Sequence, residues 1–81
     1  MRLKIKLNTV NDAVLFAAKC NEYDDDVDYM YNEHYVLDAK SMVGVISAGL
    51  GRKATVLIHT EKPETMDRFL ADMQLWIMEE R

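Results

Sequence analysis

Leu3, Ile5 and Leu7 alternate with Arg2, Lys4 and Lys6, the two-residue period of a strand with one buried and one wet face, and this predicts β1. From Val10 to Cys20 the period changes. Ala13, Phe16, Ala17 and Cys20 fall at i, i+3, i+4 and i+7, so they share one face of a helix, α1. Thr9 stands at its start, where a hydroxyl can accept from backbone N–H groups, and Asp12 can answer it three residues on; Thr9 is therefore read as an N-cap. Val27, Tyr29 and Tyr31 alternate with Asp26, Asp28 and Met30, and Asn32-Glu33-His34 supplies turn chemistry before a second extended run, Tyr35 to Ala39. These form a hairpin, β2 and β3.

Ser41 is placed to cap a short helix, α2, with Met42, Val45 and Ile46 at helical spacing and Gly49 or Gly51 free to take the left-handed conformation that ends it. Ala54 to Thr60 is rich in β-branched residues and reads as β4. Pro63 suits the first turn of a last helix, α3, which carries Met66, Phe69, Leu70, Met73, Trp76 and Ile77 on one face. The order βαββαβα implies an α+β open-faced sandwich, a four-stranded antiparallel sheet with its helices on one face. The same order through β4 also fits ferredoxin-like domains, so the pattern by itself leaves the topology open.

Composition narrows the function. With 81 residues, the expectation is a single domain, 1–81, burying roughly 60% of the surface of its unfolded chain. No apolar run is long enough to cross a bilayer, and the N-terminus lacks the continuous apolar stretch of a signal peptide; a cytoplasmic protein is expected. Cys20 is the sole cysteine, which excludes an internal disulfide and a cysteine-based metal centre. A net charge of -4 and the cluster Glu22, Asp24, Asp25, Asp26, Asp28 and Glu33 repel phosphate backbones and anionic lipid, so neither nucleic acid nor membrane is an expected partner. The acidic residues lack the glycine and closing glutamate of a calcium loop, and no metal or cofactor is implied.

The stretch Lys40-Ser41-Met42-Val43-Gly44, continuing to Gly51, resembles the second helix of the HPr phosphocarrier family of the bacterial phosphoenolpyruvate-dependent sugar phosphotransferase system. Glu22-Tyr23-Asp24 to Val27 resembles the family's segment before the second strand, and the glycines at 44, 49 and 51 fall where the family places glycines. The resemblance implies the HPr-like fold. It also exposes three departures: Thr9 stands where the phosphate-accepting histidine is expected, Asn11 where an arginine assists it, and Asp12 where a proline follows. The first histidine in the chain is His34. Threonine is no substitute for an imidazole nucleophile at neutral pH, Asn11 removes a bidentate phosphate clamp, and Asp12 adds negative charge at the site. A degenerate phosphocarrier site is expected, and no enzyme.

On the residues alone Ser41 is read first as an N-cap, which explains a serine at a helix start, while the resemblance matches it to the serine that a dedicated kinase phosphorylates in many HPr proteins. In HPr relatives the region of Met42, Val43 and Ile46 docks enzyme I, the kinase and a transcriptional regulator; the alternative for these residues is core packing plus an ordinary exposed hydrophobe. The combination of a missing histidine and a retained serine is similar to that of Crh, a branch of the family acting in carbon catabolite repression. Crh keeps the arginine that Asn11 replaces. The expectation is thus a regulatory or protein-binding module, the alternative a degenerate interaction domain without phosphorylation, with oligomeric state open. His34, in a turn, and His59, near the end of β4, are read as incidental, and Cys20 as a buried hydrophobe.

Overall fold

The structure is a computed structural model describing residues 1–78. Its elements are β1 Arg2–Leu7, α1 Val10–Cys20, β2 Val27–Asn32, β3 Tyr35–Asp38, α2 Met42–Ser47, β4 Arg52–Ile58 and α3 Pro63–Asp72. The sheet runs β1-β4-β2-β3 with every neighbouring pair antiparallel. Because β4 is inserted between β1 and β2, β1 lies at the edge, and the ferredoxin-like alternative is excluded.

The predicted alternation sets which side of the sheet is dry. Ile5, Leu7, Val27, Tyr29, Ala54, Val56 and Ile58 are buried beneath the helices, while Arg2, Lys4 and Lys53 stand exposed on the other side. Onto the dry side α1 packs Ala13, Phe16, Ala17 and Cys20, α2 packs Val45 and α3 packs Phe69. Phe16 is the hub, with its ring 5.7 Å from that of Tyr29 and 5.8 Å from that of Trp76, both edge-on, an arrangement aromatic quadrupoles favour. The molecule is an α+β open-faced sandwich.

Three boundaries differ from the periodicity. α3 stops at Asp72 with Met73 as its C-cap, so Trp76 and Ile77 lie beyond the helix. Trp76 is still buried, but Ile77 bridges to Ile5, the Lys6 N–H donates to the Trp76 carbonyl at 3.0 Å, and the Met78 N–H donates to the Lys4 carbonyl at 3.0 Å. The outer edge of β1 offers backbone groups that need partners, and satisfying them outweighs one more helical turn. β4 begins at Arg52 and ends at Ile58 rather than running from Ala54 to Thr60, since pairing with β1 extends to Leu7↔Arg52. β3 ends at Asp38; Ala39 turns inward and its N–H donates to the Val27 carbonyl at 2.9 Å. The β2–β3 ladder slips between Met30 and Asn32, a bulge at Tyr31. Gly49, at φ +103°, takes the positive φ that ends α2, and Gly51, at φ +75°, takes one directly before β4.

Candidate functional site

At the start of α1 the expected cap is complete. Thr9 is extended, at φ -127° and ψ 162°, and its Oγ1 accepts from the Asp12 N–H at 3.0 Å. Asp12 Oδ2 in turn accepts from the Asn8 N–H at 3.1 Å and the Thr9 N–H at 3.2 Å. This is a capping box with aspartate in the third position. The Asn8 N–H, foremost, holds the Asp12 carboxyl below the usual carboxylate range, with Thr9 and the Trp76 indole adding to it and desolvation opposing. Backbone donors at a helix N-terminus are where an anion would bind, and here the Asp12 carboxylate stands at that end, held by the amides of the cap and of the residue before it. Asn11 is exposed beside it.

The loop after α2 closes over this end. The Gly51 N–H donates to the Leu7 carbonyl at 2.7 Å, and Arg52 donates through Nη1 to the Ala48 carbonyl at 3.0 Å while its guanidinium lies 4.6 Å from the centre of the Tyr31 ring. Tyr31 stacks on Tyr35 with ring centres 5.1 Å apart. The guanidinium nearest the α2 terminus is thus committed to a helix carbonyl and an aromatic face.

Ser41 caps α2 in extended conformation, and its Oγ accepts from the Gly44 N–H at 3.2 Å. A Cβ at position 44 would come within 3.2 Å of that oxygen, so the glycine keeps the exposed hydroxyl uncrowded. Val45 faces the core, Val43 is 70% exposed, Met42 is exposed and Ile46 is half-buried. α1 and α2 run antiparallel: Asn21 donates through Nδ2 to the Lys40 carbonyl at 3.0 Å at one end, and the Gly51–Leu7 bond ties the other. Val10, Val14, Ala17 and Asn21 form one row along α1, and since Asn21 meets the start of α2, this row flanks α2. Exposed Val10 and Val14 therefore rim one apolar strip with Met42, Val43 and Ile46. The two valines were missed from sequence; the signal was that α1 carries more hydrophobes than its Ala13/Phe16/Ala17/Cys20 face can hold.

The other candidates separate. His34 is exposed in its turn, its N–H donating to Asn32 Oδ1 at 2.8 Å. His59 follows β4 and sets Nε2 2.7 Å from Asp28 Oδ2, a pairing that sequence distance concealed. Cys20 is buried, and burial pushes its thiol up to about 12, which makes it inert at neutral pH. Glu22 accepts from Arg68 Nη2 at 2.9 Å, and Asp72 accepts from the Tyr23 hydroxyl at 2.6 Å. Among the described residues no three His, Cys, Asp or Glu side chains are grouped to hold a metal, and no helix is long and apolar enough to cross a membrane.

No protein-family model matches the chain, and no curated protein matches it. Solved structures do. HPr-C-His from Thermoanaerobacter tengcongensis is similar with a TM-score of 0.67 at 20% identity, over 90% of this chain and 86% of that one. A phosphocarrier protein HPr from Bacillus anthracis is similar with a TM-score of 0.63 at 20% identity, over 88% of this chain and 92% of that one. What these likenesses establish is the fold, an HPr-like open-faced β-sandwich.

Proposed function

We propose that this protein is a divergent HPr-like, single-domain module of phosphotransferase-system regulation that has lost phosphohistidine transfer and works by binding proteins. The observation that carries the reading is the Asp12 carboxylate, seated on the Asn8 and Thr9 amides at the start of α1. A phosphoryl group arriving there would meet the negative charge of Asp12, and Thr9 spends its hydroxyl on the Asp12 N–H. The protein is a docking partner and not an enzyme.

The docking surface in this reading is the apolar strip of Met42, Val43 and Ile46 on α2 with Val10 and Val14 on α1. An HPr kinase and a transcriptional regulator are its partners. Ser41 borders the strip with an exposed hydroxyl, and a phosphate there would add roughly two negative charges beside it, changing partner choice without refolding the domain. A second reading, an interaction domain without phosphorylation, is favoured by the Gly44 N–H bond, which alone accounts for a serine at this position.

Parallel incubations with enzyme I plus phosphoenolpyruvate and with HPr kinase plus ATP, followed by intact mass and peptide mapping, separate these. Phosphate only in the second, lost in Ser41→Ala, supports the switch. No phosphate in either supports the unphosphorylated module, and acid-labile label in the first overturns the loss of carrier chemistry.

A further inference from the structure

The sheet face turned away from the helices carries its charge in two halves. Strand register aligns Arg2↔Leu57 and Lys4↔Thr55 across β1 and β4, Leu57↔Asp28 and Thr55↔Met30 across β4 and β2, and Asp28↔Asp38 and Met30↔Val36 across β2 and β3. Rows across the outer face therefore read Arg2, Leu57, Asp28, Asp38 and then Lys4, Thr55, Met30, Val36. The β1–β4 half also holds Lys6 opposite Lys53, and none of its four cations makes an ion pair among the described residues. In the β2–β3 half two aspartates stand opposite each other, with His59 against Asp28 alone, and Glu33 extends the acidic side into the turn. Leu57, Thr55, Met30 and Val36 fill the middle, and Val36 is 55% exposed.

Such a face complements itself. The geometry points to a homodimer in which two copies stack this sheet face about a twofold axis running along the strands between β4 and β2. That rotation lays β1 of one copy over β3 of the other and β4 over β2, so Arg2 meets Asp38, Leu57 meets Asp28, Thr55 meets Met30, Lys4 meets Val36, and Lys6 and Lys53 approach the Glu33 turn. An axis across the strands would instead set β1 on β1, cation against cation, so charge selects one of the two isologous arrangements. A second copy is the occupant because both halves of the complementarity lie on this one face.

The face is small. Four strands about 4.8 Å apart and about five residues of about 3.3 Å each cover roughly 300 Å² in plan, well below the roughly 800 Å² per partner of a standard interface. The dimer is therefore weak, populated at hundreds of micromolar, and salt-sensitive. It leaves the α1–α2 strip free on both copies, so it goes beyond the proposed function without depending on it.

The test is sedimentation equilibrium of the full chain from about 10 μM to about 1 mM at low salt, with circular dichroism to confirm folding. The wild type should dimerise with concentration. Arg2→Asp and, as an independent variant, Asp38→Arg should each weaken association by about tenfold or more, because both symmetry-related pairs become like-charged. An equimolar mixture of Arg2→Asp with Asp38→Arg restores both cross-pairs and should associate within about threefold of the wild type. A wild type still monomeric at 1 mM, variants that dimerise unchanged, or a mixture no tighter than its components would each overturn the dimer.

Discussion

Replacing Thr9 with alanine tests the closed cap at the start of α1. The substitution removes the Oγ1 acceptor 3.0 Å from the Asp12 N–H and leaves Asp12 free to hold its two amides. Loss of an N-cap hydroxyl costs about 1 kcal/mol, and in a domain of this size that lowers the melting temperature by about 6 °C. Thr9→Ser keeps the acceptor and should stay within about 0.5 kcal/mol of the wild type. Urea unfolding at pH 7 reads both. A pH series reads the other half of the box. The Asp12 carboxyl is lowered in the folded state, so its contribution is full above the ordinary carboxylate value and disappears as pH falls through the lowered one. Asp12→Asn should therefore be less stable than wild type at pH 7, and the gap should close in acid. Thr9→Ala as stable as wild type, or an Asp12→Asn gap that does not change with pH, would refute the closed cap and remove the ground for a lost anion site.

Three further outcomes follow from other contacts. Tyr23→Phe keeps the ring on Phe69 but loses the 2.6 Å bond to Asp72, and should cost about 1.5 kcal/mol by urea unfolding at pH 7. Burial first, and then the bond to Asp72, push the Tyr23 hydroxyl up; the unfolded chain alone ionises it above pH 10, so wild-type stability should fall there more steeply than that of Tyr23→Phe. Gly51→Ala puts a side chain at φ +75° with nothing in its way and should cost about 1 to 2 kcal/mol, while Gly49→Ala should cost more, since its Cβ would come 3.2 Å from Arg52 Cδ. Val43→Asp, at a 70% exposed position, should leave stability within about 0.5 kcal/mol and yet abolish labelling by HPr kinase.

The legible parts of this molecule were those where local chemistry and tertiary packing agree. β1 and α1 could be read because a strand with one wet face and a helix with one dry face each leave an undisguised period, and because Thr9 and Asp12 are close enough in sequence for their pairing to be inferred. The end of α3 could not. Trp76 and Ile77 continue a helical spacing, but their positions are set by the free edge of β1, some seventy residues earlier in the chain. The His59–Asp28 pair and the flanking of α2 by Val10 and Val14 were hidden for the same reason, as each depends on which elements become neighbours. Ser41 and Met42, by contrast, could be singled out from a contiguous motif, and the structure adds their exposure.

The pairing of β1 also has a bearing on how the chain is made. β1 precedes every other element of this domain, yet its hydrogen-bonding partners are β4 on one edge and Trp76 and Met78 on the other. Until those segments emerge, Leu3, Ile5 and Leu7 have no sheet to join. The strand must wait, and the loop closed by its pairing spans most of the chain, an entropic cost met only late. Assembly of the sheet thus follows the emergence of β4 and of Trp76 to Met78, and exposure of the β1 strand until then is the interval in which a chaperone would find the chain.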